Sequence, residues 1–413
     1  MKTEHKYRYD VASNKMVKKY TIKEIFRDNW DEFVEEMGKQ GKAIRPTIME
    51  EVAKIIGCQD PNNGFALYFC PDCHVQKRVP FTCKSRFCNT CGAKYSMDRA
   101  LAMSKTLLQA PHRHVVFTIP EELRPYFAHN RELLNILFEA AAETIEYRFY
   151  VVNKSERFIP CMISTLHTFG RDLKWNPHIH MILCEKAVGK SNIWKLFNHI
   201  NYQGLRKSWM FTLLKRLSGK IQDPSFKALV DKFYETNDKG FYVYSPPIKN
   251  FNAGAINYIT RYTGRPALAQ SRITSYDGEY VSFTYTPHGE TQLVTETLHV
   301  FAFIKKLIIH IPERNFKMIR YQGFYLKRKR EQYLRHQKHL TSLVYFSMLA
   351  VHGSWRKRIL FYFNHDPLKC IYCGATLELS ELYCHPRKIK YYFTIYNRWE
   401  DPYLERLTYY AKT

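Results

Sequence analysis

Apolar positions along the chain follow two periods. Residues spaced three and four apart predict amphipathic helices, the first over 21–37, where Thr21 and Glu24 match a capping box. Further helices are predicted over 45–56, 96–109, 129–148, within 191–235 and over 301–311. Residues spaced two apart predict strands over 112–119, 158–169, 175–183, 271–286 and 292–299. Helices that flank an antiparallel sheet make α+β the predicted fold class.

The segment 158–183 predicts a β-hairpin that carries three histidines. His178 and His180 flank Ile179, so strand alternation places both imidazoles on one face of the sheet. His167 lies across the turn, and antiparallel pairing would bring its side chain to the same face. The sequence therefore predicts a cluster of three imidazoles on a central strand and its neighbour.

Three imidazoles on one sheet face indicate a site for a divalent metal. Such a set leaves coordination positions open for a phosphate oxygen and water, as a catalytic Mg²⁺ or Mn²⁺ requires, and nitrogen ligands favour Mn²⁺. The competing interpretation is a set of half-buried sheet histidines, with His167 bonded to a neighbouring residue.

A second stretch, 252–264, predicts a helix that Asn can cap and Gly can end. Tyr258 and Tyr262 are four residues apart and therefore share one face, one turn apart. Arg261 and Arg265 lie alongside and suit the binding of phosphates. The competing interpretation is a chance pair of core tyrosines, because the chain contains 30 Tyr.

Nine of the 11 Cys residues fall in two clusters. Cys70 and Cys73 form one CxxC knuckle and Cys88 and Cys91 form another, and two such knuckles complete a closed tetrahedral Zn²⁺ site. Spare potential ligands, which leave room for a second ion or another ligand set, are Cys58, His74 and Cys83. We also predict a smaller zinc site from Cys370 and Cys373 with Cys384 or His385.

The charge balance indicates a nucleic-acid partner. Lys+Arg number 63 against 38 Asp+Glu, a net charge of +25, and aromatic residues make up 15% of the chain. Cations neutralise phosphates and rings stack on bases. The strongest basic run, 325–339, predicts a helix that contacts the DNA backbone through Lys327, Arg328, Lys329 and Arg330, and the competing interpretation is a solvated charged helix. No apolar run long enough to span a membrane and no phosphate-binding loop of an ATPase is present.

A histidine-bound metal, two tyrosines on one helix face and a basic charge balance together predict strand transfer on DNA. The metal polarises the scissile phosphate, a tyrosine oxygen attacks it to form a 5′-phosphotyrosine, and the 3′-OH leaves. Tyrosine has a pKa of about 10 when free, so the metal and the arginines must activate it. A second tyrosine permits a second cleavage before the first link resolves.

The chain resembles the two-tyrosine rolling-circle transposases of the HUH endonuclease superfamily, which bacterial insertion sequences encode. HTFGRDLKWNPHIHMI resembles their HUH block, NYITRYTGRPALAQSRI their tyrosine block, CPDCHVQKRVPFTCKSRFCNTC their zinc-binding domain, and IIHIPERNFKMIRYQGFY a segment near the end of their catalytic region. The resemblance implies that His178 and His180 bind the catalytic metal and that Tyr258 and Tyr262 are the nucleophiles. It assigns no third ligand, so His167 depends on the hairpin argument alone.

Two positions depart from the family's pattern. Asn176 stands where the family often has the first His of the HUH block, and Phe87 stands where a His often precedes the second knuckle. Metal binding by His178 and His180 should persist, because Asn176 precedes the ligand pair.

We therefore expect a DNA transposase that cleaves single-stranded element ends and acts in the bacterial cytoplasm at the nucleoid. The alternatives are a plasmid or phage replication initiator with the same chemistry and a zinc-ribbon DNA-binding regulator without activity. The predicted domains are an N-terminal helical region (1–57), a zinc-binding domain (58–98), the catalytic domain (99–270), a β-rich and helical extension (271–330) and a basic C-terminal region (331–413).

Overall fold

The computed structural model describes residues 7–10, 15–18, 20–104, 106–108, 110–154, 156–191, 193–197, 201–246, 267–287, 289–326 and 355–384. The predicted tyrosine helix, with Tyr258, Arg261, Tyr262 and Arg265, lies outside the described residues. The cations predicted to contact DNA, Lys327, Arg328, Lys329 and Arg330, lie outside them as well. These two predictions therefore stay predictions.

The described strands are β1 (Tyr7–Asp10), β2 (Lys15–Lys18), β3 (Gly64–Phe69), β4 (Gln76–Pro80), β5 (His112–Phe117), β6 (Cys161–Phe169), β7 (Trp175–Cys184), β8 (Lys186–Val188), β9 (Trp194–Leu196), β10 (Val243–Tyr244), β11 (Ile273–Tyr276), β12 (Tyr280–Tyr285), β13 (Val294–His299), β14 (Ile319–Gly323) and β15 (Glu378–Cys384). The described helices are α1 (Ile22–Lys39), α2 (Pro46–Ile56), α3 (Asn89–Ser104), α4 (Arg124–His129), α5 (Leu134–Val152), α6 (Tyr202–Ser218), α7 (Pro224–Thr236), α8 (Val300–Ile308) and α9 (Trp355–Phe363). None of the helices in the described part of the chain has the length and apolar character that a membrane span requires.

Local sequence signals account for the first helix. The Thr21 Oγ1 accepts a hydrogen bond from the Glu24 amide at 3.0 Å, which satisfies one of the free N–H groups at the start of α1. Ile25, Phe26 and Phe33 are buried along one face of the helix. The predicted capping residue and the predicted apolar face are thereby confirmed.

The chain divides into two compact units. Unit 1 comprises 1–52 and 85–348, and unit 2 comprises 53–84 and 349–413. The sequence predicted five consecutive segments, whereas unit 2 combines part of the cysteine-rich segment with the C-terminal region. Residues 85–348, which belong to unit 1, separate the two parts of unit 2 in the sequence.

An antiparallel five-stranded sheet forms the centre of unit 1, in the order β10-β5-β7-β6-β14. β6 and β7 are the two arms of the predicted hairpin, and β7 is the central strand. The predicted α+β class and the predicted central position of the histidine strand are confirmed.

Alternation along β7 divides its side chains between two environments. Ile179, Met181 and Leu183 are buried on one face, where they belong to a large core with residues of α5 and α6. Ile182 and Cys184 lie on the other face, in a smaller apolar cluster. His178 and His180 share that second face but are only partly buried, so they lie at the edge of this smaller apolar cluster.

A second, three-stranded antiparallel sheet in unit 1 has the order β11-β12-β13. It packs with α1 and α8, where the rings of Phe33 and Phe301 lie 5.6 Å apart. The buried Asn29 amide of α1 donates to the Tyr276 hydroxyl of β11 at 2.6 Å. This sheet thus anchors the first helix of the chain.

Unit 2 contains a three-stranded antiparallel sheet in the order β15-β3-β4, together with α9. Its small apolar cluster includes Cys70, Cys370 and Leu377, all buried. Residues that lie about three hundred positions apart in sequence therefore share one small core.

Candidate metal centre

Three histidines converge on the hairpin of the central sheet. His167 of β6 and His178 of β7 are direct partners in the strand register, and His180 follows on the same face, opposite Thr165. One ring nitrogen of each histidine lies within 4.8 Å of the others. The placement predicted for all three imidazoles is confirmed, and their role as ligands remains a proposal.

The spacing of the ring nitrogens suits an octahedral ion. The Nε2 atoms of His178 and His180 are 3.0 Å apart. Metal–nitrogen bonds of about 2.1 Å at right angles place neighbouring ligand atoms about 3.0 Å apart. The histidine pair therefore has the separation of two adjacent ligands on such an ion.

The second nitrogen of His178 is fixed by the backbone. Its Nδ1 lies 2.7 Å from the carbonyl oxygen of Asn176, which can only accept, so Nδ1 carries the proton and donates. This leaves Nε2 unprotonated and directed at the cluster. Because the acceptor is a backbone carbonyl, any side chain at position 176 can serve, and the departure from the family's histidine does not disturb this contact.

His114 of β5 makes the corresponding contact to His180, and the sequence did not predict it as a functional residue. Its Nε2 lies 2.8 Å from the Nδ1 of His180. Metal binding at the Nε2 of His180 requires the proton on Nδ1, where His114 accepts it. The alternation of β5 places His112 and His114 on one face. Only the pairing of β5 with β7 shows which of them reaches a ligand.

Burial keeps these imidazoles neutral. Burial lowers the pKa of His178, and the nearby positive charge of Arg124 lowers it further. Burial, followed by the charges of its histidine neighbours, holds the pKa of His180 well below its usual range. Burial and the charge of His178 lower the pKa of His114 to about 4. Neutral imidazole is the form that binds metals, so His178 and His180 need no proton loss at neutral pH.

Asn176 adds an unsatisfied polar atom to the same face. Strand alternation places its side chain on the side of His178 and His180. Its buried Oδ1 accepts no hydrogen bond within the described part of the chain. Buried amide oxygens usually have a partner, and a water bound to a metal would supply one. The donor set and this free acceptor both fit a hydrated divalent cation.

The cysteine knuckles pair differently from the prediction. The structure brings Cys70 and Cys73 together with Cys370 and Cys373, with one sulfur of each within 4.8 Å of the others. The predicted partners, Cys88 and Cys91, instead lie at the start of α3. The predicted ligand set of Cys70, Cys73, Cys88 and Cys91 is therefore corrected, and so is the predicted separate C-terminal site, because sequence proximity does not decide which knuckles meet.

Two known protein families match two separate parts of the chain. The family described as "Putative transposase" matches residues 161–333, which contain the histidine hairpin and the tyrosine block. The family described as "Transposase zinc-binding domain" matches residues 25–119. No solved structure matches the chain.

Two curated proteins are similar over most of the chain. The transposase for insertion sequence element IS801 of Pseudomonas savastanoi pv. phaseolicola is 28% identical over 380 residues, 86% of this chain and 88% of that protein. The protein named "Putative transposase y4qJ" of Sinorhizobium fredii is 25% identical over 315 residues, 69% of this chain and 76% of that protein. A transposase zinc-binding domain and a transposase domain are thus matched in that order, and the chain is a transposase similar to that of an insertion sequence element.

Proposed function

We propose that this transposase is a metal-dependent single-strand DNA endonuclease and strand transferase of the HUH type. The observation that carries the proposal is the convergence of His167, His178 and His180 on one sheet face, with 3.0 Å between two of the ligand nitrogens. The tyrosine block follows this hairpin in the chain and lies within the matched transposase domain. Tyr258 and Tyr262 are proposed as the nucleophiles.

His167, His178 and His180 would hold and orient a divalent cation, Mg²⁺ or Mn²⁺, and His178 and His180 would bind it through Nε2. When bound, the cation polarises the scissile phosphate and stabilises the charge that develops on it. The Asn176 carbonyl and His114 keep the ring protons of His178 and His180 on Nδ1, so that Nε2 stays available. Arg261 and Arg265 are proposed to bind the phosphates beside the tyrosines.

The proposed reaction conserves the energy of the phosphodiester. A tyrosine oxygen forms a bond to phosphorus and loses its phenolic proton, while the bond from phosphorus to the 3′-oxygen breaks and that oxygen leaves as a hydroxyl. Attack by a 3′-OH on the phosphotyrosine reverses these changes and joins two strands. No hydrolysis and no nucleotide cofactor are needed.

The remaining parts are proposed to position DNA. The net charge of +25 suits binding to phosphates, and Lys327, Arg328, Lys329 and Arg330 are proposed as backbone contacts. Because the proposed substrates are element ends and target DNA, the proposed location is the bacterial nucleoid.

The test is a cleavage assay with single-stranded oligonucleotides from the element ends. The full-length protein is incubated with 5′-labelled and 3′-labelled strands and Mn²⁺, and products are separated on denaturing gels. We expect a covalent adduct that carries the 5′-phosphate side of the cut. The Tyr258→Phe/Tyr262→Phe double variant should form none, and His180→Ala should bind DNA without cleaving it.

Tyr280→Phe is the matched control, because Tyr280 is an exposed tyrosine of β12 outside the tyrosine block. It should form the adduct as wild type does. Adducts that persist in the double variant would show that other residues are the nucleophiles. Equal cleavage with and without EDTA would remove the metal from the mechanism.

A further inference from the structure

The two cysteine knuckles of unit 2 have the same backbone geometry. In each, the amide of the first cysteine donates to the carbonyl five residues on, from Cys70 to Val75 at 2.9 Å and from Cys370 to Ala375 at 2.8 Å. In each, the residue after the second cysteine has a positive φ, 56° at His74 and 81° at Gly374. Both turns are therefore folded so that two thiols point to one side.

Backbone amides also point at the sulfurs. The Val75 N–H donates to the thiol of Cys73, and the Ala375 N–H donates to the thiol of Cys373 at the equivalent position. The N–H groups of Tyr372 and Cys373 donate to Cys370. Backbone donors thus orient the sulfurs of both knuckles.

The distances between sulfurs fit one tetrahedral ion. The Sγ atoms of Cys70 and Cys373 are 3.3 Å apart, those of Cys73 and Cys370 are 3.5 Å apart, and those of Cys73 and Cys373 are 3.8 Å apart. A tetrahedral zinc with Zn–S bonds of about 2.3 Å has edges of about 3.8 Å. A disulfide needs a separation of about 2.05 Å, so these pairs are not disulfides.

Strand pairing brings the same two parts of the chain together. β15 pairs with β3 in antiparallel register, from Glu378 opposite Phe69 to Cys384 opposite Gly64. The rings of Phe65 and Tyr383 stack with their centroids 5.1 Å apart. The Lys77 ammonium donates to the Pro367 carbonyl at 2.7 Å. The knuckles thus meet within a sheet that neither segment completes alone.

We propose that Cys70, Cys73, Cys370 and Cys373 bind one structural zinc ion that closes unit 2 into a single module. The ligands come from two segments that the catalytic unit separates, 303 positions apart for Cys70 and Cys373. The matched zinc-binding domain, residues 25–119, contains only two of the four. The C-terminal knuckle is therefore the missing half of an N-terminal zinc site, and its loss should act like a change in the N-terminal domain.

The test measures zinc in the full-length protein and in single and double variants. Cys73→Ser and Cys373→Ser should each remove the same one equivalent of zinc per chain, and the double variant should lose no more than either single one. Cys161→Ser is the matched control, because Cys161 is a buried cysteine of β6 outside these knuckles, and it should keep all zinc. The assay involves no DNA, so its outcome is independent of the proposed cleavage chemistry.

A conservative variant tests the role of residue 373 where the serine variants fold poorly. Cys373→His retains a ligand, so it should hold the wild-type zinc content but shift the visible absorption of the Co²⁺-substituted protein. Full zinc in Cys373→Ser would overturn the proposal. Losses from Cys73→Ser and Cys373→Ser that add to two equivalents would overturn it as well, because they would come from separate sites. An unchanged Co²⁺ spectrum in Cys373→His would exclude residue 373 as a ligand.

Discussion

Replacement of His114 tests how the histidine cluster is held in register. His114 is buried, 6% exposed, and its Nε2 lies 2.8 Å from the Nδ1 of His180. His114→Leu fills similar space but removes the acceptor of the His180 ring proton. His114→Gln restores a side-chain oxygen that can accept. We expect weaker metal binding in the first variant and partial recovery in the second.

The size of the effect follows from the burial of the contact. Loss of the partner of a buried donor costs about 1–3 kcal/mol. This cost falls on the bound state, in which the proton of His180 must sit on Nδ1. At 1.4 kcal/mol for each factor of ten, the Kd for Mn²⁺ should rise about 5-fold to 150-fold. This range includes the about 10- to 100-fold losses that are typical of residues that orient metal ligands.

The assay is calorimetric titration with Mn²⁺ of protein that retains its zinc but carries no other divalent metal, and thermal unfolding serves as a check on the fold. His112→Leu is the matched control. His112 is a buried histidine of the same strand, 1% exposed, but its Nε2 bonds the Tyr325 hydroxyl at 2.7 Å rather than a proposed ligand. It should lower the unfolding temperature without changing the Mn²⁺ affinity, because its contact is separate from the histidine cluster.

A His114→Leu protein that is folded and binds Mn²⁺ as tightly as wild type would contradict this role of His114. Equal weakening in His112→Leu and His114→Leu would also refute it, because a general loss of packing in β5 would then explain both. Tighter binding in His114→Gln than in wild type would show that imidazole is not the preferred acceptor.

Two further predictions concern stability. Gly323 ends β14 with φ +60°, and a Cβ there would lie 1.8 Å from the Pro160 carbonyl oxygen. A left-handed backbone alone costs a residue with a Cβ about 1–2 kcal/mol, so Gly323→Ala should lower the free energy of unfolding by more than this amount. Gly38→Ala in α1, where a Cβ meets nothing within 4 Å, should be neutral or stabilising by up to about 1 kcal/mol, and urea unfolding of both variants checks the pair. Burial lowers the pKa of His310 to about 4, whereas an unfolded histidine has a pKa of about 6.5. The contribution of this difference to the free energy of unfolding is therefore complete above pH about 6.5 and is lost as the pH falls toward 4. Through this group, the free energy of unfolding should be about 2 kcal/mol lower at pH 5 than at pH 7. His310→Gln should remove this part of the pH dependence, and an unchanged pH dependence would show that His310 is not its source.

Local periodicity explains why the histidine hairpin could be predicted. Alternation of apolar and polar residues in β6 and β7 fixes which side chains face the core, since a slip by one residue would expose Ile179 and bury His180. The short turn then leaves little choice of register, and His167 meets His178 directly. The cluster is therefore a consequence of local sequence.

His114 could not be assigned in the same way. Its strand, β5, is separated from β7 by α4, α5 and β6, and the sequence does not state which strand lies beside β7. A one-strand change in the order would direct His114 at other residues. Its contact with His180 is a property of the sheet, not of either strand alone.

The cysteines show most clearly the difference between local features and long-range contacts. The charge that suits DNA follows from composition, and the turn of each CxxC knuckle and the faces of the strands follow from neighbours a few positions apart. The contact between the knuckles at Cys70 and Cys370 and the contact between His114 and His180 depend on how the whole chain folds. Partners hundreds of residues apart are selected by the packing of whole strands and units, which local periodicity does not encode.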